Sequence, residues 1–155
     1  PASIWHAAAA GAIASSTADT WSTEIGTLSR SDPHSIISGI NVAPGVSGGV
    51  TLLGTIAQIL GAAFMSAIVY AFGWGDRAVV AAIIGGIGGS LIDSVLGATL
   101  QGTRWCPQCQ RGTERAVHTC GTLTVHSKGI TWLGNDLVNF LSSMGGAMLG
   151  LLCLL

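Results

Sequence analysis

Residues 50–72 read VTLLGTIAQILGAAFMSAIVYAF and contain no charged side chain. At about 1.5 Å of rise per residue, a helix of that length crosses the roughly 30 Å hydrocarbon core of a bilayer. A helix is also the form in which a single apolar segment satisfies its own backbone there. The short connection GWGDR (73–77) leads into residues 78–101, AVVAAIIGGIGGSLIDSVLGATLQ, where Asp93 is the one charge. Two such runs joined by so short a turn predict a helical hairpin in a membrane.

The rest of the chain agrees. Of 155 residues, 49% are apolar and 8% charged, and 23 are glycine, whereas an ordinary soluble domain is about 25% charged. Six basic and seven acidic side chains cannot cover a globule in water. A net charge of −1 excludes nucleic acid as a partner, and disorder requires the opposite composition. Residues 1–24 and about 133–155 are further weakly charged stretches of spanning length. The reading is therefore an all-α, polytopic transmembrane helical bundle. It forms one membrane domain, 1–155, with spans at about 1–24, 50–72, 78–101 and 133–155. The first span, weakly apolar and opening at proline, reads as one whose beginning is missing; a cleaved signal peptide is the poorer reading, since no basic region precedes the apolar run and no soluble domain follows it.

A hairpin at 50–101 puts the connections 25–49 and 102–132 on one side of the membrane. Arg30, Arg104, Arg111, Arg115 and Lys128 lie there, against Arg77 alone on the other. The positive-inside rule places both loops in the cytosol, which for a prokaryote means a multi-pass protein of the plasma membrane. The second loop is a small cytosolic insertion.

Acids inside spans are costly and mark function. Asp19 and Glu24, in ADTWSTEIG, close the first helix at its cytosolic end. Asp93 precedes Gln101 by eight residues, roughly 12 Å below the cytosolic end of its helix. Asn135 and Asp136, in GNDLVNF, open the last helix at that same end. Gly85, Gly89, Asp93, Gly97 and Gln101 recur every four residues as a stripe of small and polar positions that admits a neighbouring backbone. Asn135, Asn139, Ser142 and Gly146 share a face of the last helix. Carboxylates and amides that converge without basic partners call for a cation, and oxygen donors favour Mg²⁺. Magnesium held by few carboxylates completes its shell with substrate phosphates, which points to phosphoryl or nucleotidyl transfer.

The phosphate candidate is APGVSGGVT, 43–51, where Pro44 and Gly45 make a turn and Ser47, Gly48 and Gly49 precede a long helix whose N-terminus favours anions. It lacks the Walker lysine. In the insertion, Cys106 and Cys109 form CPQC, followed by His118 and Cys120 in HTC, with His126 nearby. Cytosolic placement disfavours disulfides. The alternatives are free thiols or a structural zinc on Cys106, Cys109, Cys120 and one histidine, His118 being the nearer in sequence. Cys153 reads as a small hydrophobe in an apolar helix.

Together ADTWSTEIGTLS, VAPGVSGGVTLLGT, GGSLIDSVLGATLQ, CPQC…HTCG and WLGNDLVNFLSS resemble, in order, the integral membrane family catalogued as domain of unknown function 92, which includes the plant phytyl-phosphate kinase. The resemblance runs from about residue 14 to about residue 145. It implies a CTP-dependent transferase, a kinase that turns an isoprenoid monophosphate into a diphosphate. Asp19, Asp93 and Asp136 would then hold magnesium and serve catalysis. Glu24, Pro44, Gly45, Ser47, Gly48, Gly49, Gln101, Asn135 and Asn139 would bind the nucleotide. Members often carry a lysine shortly before the proline-glycine turn, where Ile40 and Asn41 stand here, and a threonine where Val46 stands. Members also have further N-terminal helices, so the chain reads as the C-terminal part of a longer protein. The expected partners are a lipid phosphate, a nucleoside triphosphate and the bilayer, with further copies of the chain left open. A lipid cytidylyltransferase and a non-enzymatic membrane transporter are the alternatives.

Overall fold

The computed structural model describes residues 2–154. Four helices form most of it: α1 (Ala2–Gly26), α2 (Leu52–Ala71), α3 (Asp76–Thr99) and α4 (Asn135–Leu152). α1 and α3 lie against each other, and each also packs on both α2 and α4. α2 and α3 are the two described helices long and apolar enough to cross a membrane. α1 and α4 fall short of that standard, α4 because Asn135, Asp136 and Asn139 lie in its first turns.

Small side chains fill the interior. Ala10, Ala14, Ala62 and Ala82 are fully buried, and α3 buries Gly85, Gly86 and Gly89. Bulky apolar side chains face outward: Leu52 and Phe72 are each 75% exposed, and Ile59, Phe64, Ile84 and Leu91 are exposed along the same helices. This pattern is inverted relative to a water-soluble core. Lipid tails solvate Leu and Ile as well as a protein interior does, so helices associate through close backbone contact between small residues. The closest contact joins three helices. A Cβ on Gly85 would lie 2.6 Å from Cα of Gly11 in α1, and one on Gly146 of α4 would lie 2.7 Å from the Gly11 carbonyl oxygen. The glycine stripe read from the sequence is thus a contact surface, as expected. Polar links reinforce it: Ser15 donates to the Ser142 carbonyl at 3.3 Å, and Gln58 Nε2 donates to the Ile87 carbonyl at 3.1 Å.

The turn between α2 and α3 uses Gly73 and Gly75 at positive φ. Both long connections therefore emerge at the opposite end. The expectation of an all-α fold is corrected in these connections. The first closes on two short paired strands, β1 (His34–Ser35) and β2 (Gly49–Val50). The second is a three-stranded antiparallel sheet in the order β4-β3-β5, built from β3 (Thr103–Cys106), β4 (Arg111–Thr113) and β5 (Val125–Lys128). These strands are too short and too polar to show apolar alternation, so pairing with one another defines them. Arg104 ties the sheet together: its Nε donates to Thr124 Oγ1 at 2.7 Å and its guanidinium to the Thr124 carbonyl at 2.8 Å.

Candidate functional site

A polar cleft of about 250 Å³ opens at the end of the helices that bears both connections. α1 contributes Asp19, Ser22 and Gly26, and α3 contributes Asp93, Ser94 and Gly97. The turn 44–49 forms another wall, and Gln101 and Glu114 also line the cleft. The local sequence explains how these segments meet. Thr51 caps α2 by accepting from the Gly54 amide at 3.0 Å, and its hydroxyl donates to the Gly26 carbonyl at 3.5 Å. One side chain thus joins the end of α1 to the start of α2. Gly48, at φ +78°, rests on the end of α3, where a Cβ would lie 2.8 Å from Cα of Ala98. Two hydrogen bonds close the turn, Val46 N–H to the Ala43 carbonyl and Gly49 N–H to the Val46 carbonyl.

The cleft's electrostatics are one-sided. Asp19, Asp93 and Glu114 line it, and among the described residues no lysine or arginine does. Ser90 donates to Asp19 Oδ1 at 3.4 Å. Glu114 Oε1 accepts from Gln101 Nε2 at 2.7 Å and from Ser47 Oγ at 3.5 Å. Asp93 Oδ2 is buried and has no hydrogen-bond partner among the described residues. A buried carboxylate oxygen so placed is costly unless a proton or a cation joins it.

Of the residues singled out in the sequence, the structure gathers Asp19, Asp93, Pro44, Gly45, Ser47, Gly48, Gly49, Gln101 and Asn135 around this cleft. It does not bring Glu24, Asp136 or Asn139 there: all three are exposed and none lines it. Asn135 and Asp136 are neighbours at the start of α4, and the roughly 100° turn per helical residue points them in different directions. Glu114 and the hydroxyls of Ser22 and Ser94 were not singled out. The one available signal for Glu114 was its position as the sole acid of the cysteine-bearing insertion.

In the insertion, ligand atoms of Cys106, Cys109, His118 and Cys120 all lie within 4.8 Å of one another. His126 is exposed on β5, outside this group. The Thr122 hydroxyl, followed by the His118 ring, holds the Cys120 thiol down to about 6. The hydrogen bond with Cys120 pushes the Cys109 thiol up to about 11.

An interior of glycine and alanine, an apolar exterior and polar groups gathered at one end are the features of an integral membrane protein. The sequence matches the family model of integral membrane protein DUF92 over residues 1–147, and the chain belongs to that family. It is 31% identical over 140 residues to an uncharacterized membrane protein of Methanocaldococcus jannaschii, covering 90% of this chain and 48% of that protein. It is 31% identical over 136 residues to Protein PGR of Arabidopsis thaliana, covering 80% of this chain and 46% of that protein. The chain spans about half the length of these curated relatives. No solved structure matches it.

Proposed function

We propose that this chain forms the phosphate- and metal-binding end of a multi-pass membrane prenyl-phosphate kinase, which transfers the γ-phosphoryl group of a nucleoside triphosphate, CTP by family resemblance, to an isoprenoid monophosphate. The observation that carries this reading is the meeting of Asp19 and Asp93, from two packed helices, with the turn 44–49 in one cleft that, among the described residues, no lysine or arginine lines. The donor set fits Mg²⁺: carboxylates and hydroxyls, all hard oxygens, with Asp93 Oδ2 buried and unpartnered. Asp19 and Asp93 would hold the ion, which when bound neutralises charge on the phosphates.

The remaining roles fall to the chain itself. The amides of Val46, Gly49 and Gly54 are taken within the chain, so those of Gly45, Ser47 and Gly48 in the turn would receive the phosphates. Packing of Gly48 on α3 fixes that turn relative to Asp93. The isoprenoid tail lies among the outward apolar side chains. An acceptor phosphate oxygen attacks the γ-phosphorus in line, the bond to the β,γ-bridging oxygen breaks, and the nucleoside diphosphate leaves. The bias of five basic residues to one side supports a cytosolic cleft, where nucleotide is available.

The test incubates membranes containing the full chain with CTP or ATP and a panel of prenyl monophosphates. Label from the γ-position appearing in a prenyl diphosphate supports the kinase. Label from the α-position entering lipid with release of pyrophosphate identifies a cytidylyltransferase and overturns the kinase. No lipid product with any acceptor or nucleotide also overturns it.

A further inference from the structure

The insertion folds with almost nothing apolar inside it. Between residues 102 and 132 only Cys106 and Thr124 are buried, too little for a core to hold three short strands. Within it, four side chains able to bind a metal come together. Cys106 ends β3, Cys109 lies in the β3–β4 turn, and His118 and Cys120 lie between β4 and β5. Cys106 Sγ and Cys120 Sγ are 3.7 Å apart, and His118 Nδ1 is 3.1 Å from Cys120 Sγ. Tetrahedral zinc with Zn–S distances of about 2.3 Å places its sulfurs about 3.8 Å apart. The Cys109 amide also donates to Cys106 Sγ at 3.5 Å, orienting that sulfur.

We propose that Cys106, Cys109, His118 and Cys120 bind one Zn²⁺, and that this ion positions Glu114 at the cleft. Glu114 lies between the two ligand pairs in sequence, so closing the metal site closes the loop that carries it. Thr124 anchors the same loop, its hydroxyl donating to the Arg115 carbonyl at 2.7 Å. Glu114 then reaches Gln101 at the end of α3 and Ser47 in the glycine turn. Zinc binding stands independently of the proposed kinase, whereas the effect of Glu114 on turnover rests on it.

The full chain, purified in detergent without chelator, is expected to carry about one zinc per molecule. The Cys106→Ser/Cys109→Ser double variant loses it, and Glu114→Gln retains it. Should the double variant fail to fold, the wild type answers instead. A strong chelator removes zinc from the folded protein, trypsin then cuts faster at Arg111 and Arg115, and added zinc restores protection. Protein that holds no zinc as purified or after zinc addition overturns the site. Cleavage that is indifferent to chelation overturns the positioning role. Where the transferase assay shows turnover, zinc removal and Glu114→Gln each lower it by the same factor, about tenfold. Combining them adds nothing further, because both withdraw one carboxylate. Additive losses would separate Glu114 from the zinc. Zinc content and proteolysis remain readable if no kinase activity is found.

Discussion

Asp93 is where the energetic demand is sharpest, because an acid within an apolar helix keeps one oxygen buried and unpartnered. Asp93→Asn preserves size and removes charge. It is expected to leave the protein folded and to reduce transfer at least about 10²-fold, as would Asp19→Asn. Asp76→Asn, at the opposite end of α3, is expected to change turnover little. Initial rates with saturating nucleotide, read beside detergent thermal melts, check this; near-normal turnover in Asp93→Asn would make it a packing residue. At this scale the acids of the helices were legible, because a charge in an apolar run stands out in any sequence. Glu114 was not, since its exposed position in a polar segment gives no such contrast and its reach to Gln101 depends on how the insertion folds. Asn135 and Asp136 were read together, and helical rotation separates them.

Among the elements, the contact of α1, α3 and α4 through glycine decides stability. Gly85→Ala gains helix propensity of about 1 kcal/mol, but its methyl meets the backbone of Gly11, which cannot yield. The expected net effect is a destabilisation of about 1–3 kcal/mol. Gly88→Ala, one turn along the same helix, meets only the end of the flexible Leu149 side chain and is expected to be neutral or stabilising. Paired thermal melts in one detergent test this, and equal melting temperatures would refute the three-helix contact. Thr51→Ala removes both the α2 cap and the hydroxyl held by the Gly26 carbonyl, with an expected cost of about 1 kcal/mol. Helix periodicity and spacing identified this stripe from the sequence, whereas the small sheet β4-β3-β5 left no such mark: its strands are three or four residues long and largely exposed.

For the whole molecule, orientation is the open quantity that charge predicts. A cysteine introduced at Asp76 is expected to react with an impermeant thiol reagent in intact cells, and one introduced at Ser38 only after permeabilisation, with the wild type as the background. The reverse pattern would put the cleft outside. Membrane residence, the hairpin of α2 and α3 and the common end of the two long connections follow from the sequence alone, because apolar length and turn length depend only on the order of residues. The same holds for the family, whose motifs are local. Only the tertiary structure decides which polar groups converge. Asp19, Asp93, Ser47 and Glu114 lie on four separate segments, and their meeting depends on glycine contacts, a shared threonine cap and a loop whose three cysteines and one histidine come together. Each of these is a through-space contact between residues far apart in the chain, and one residue of helical rotation is enough to include or exclude a side chain.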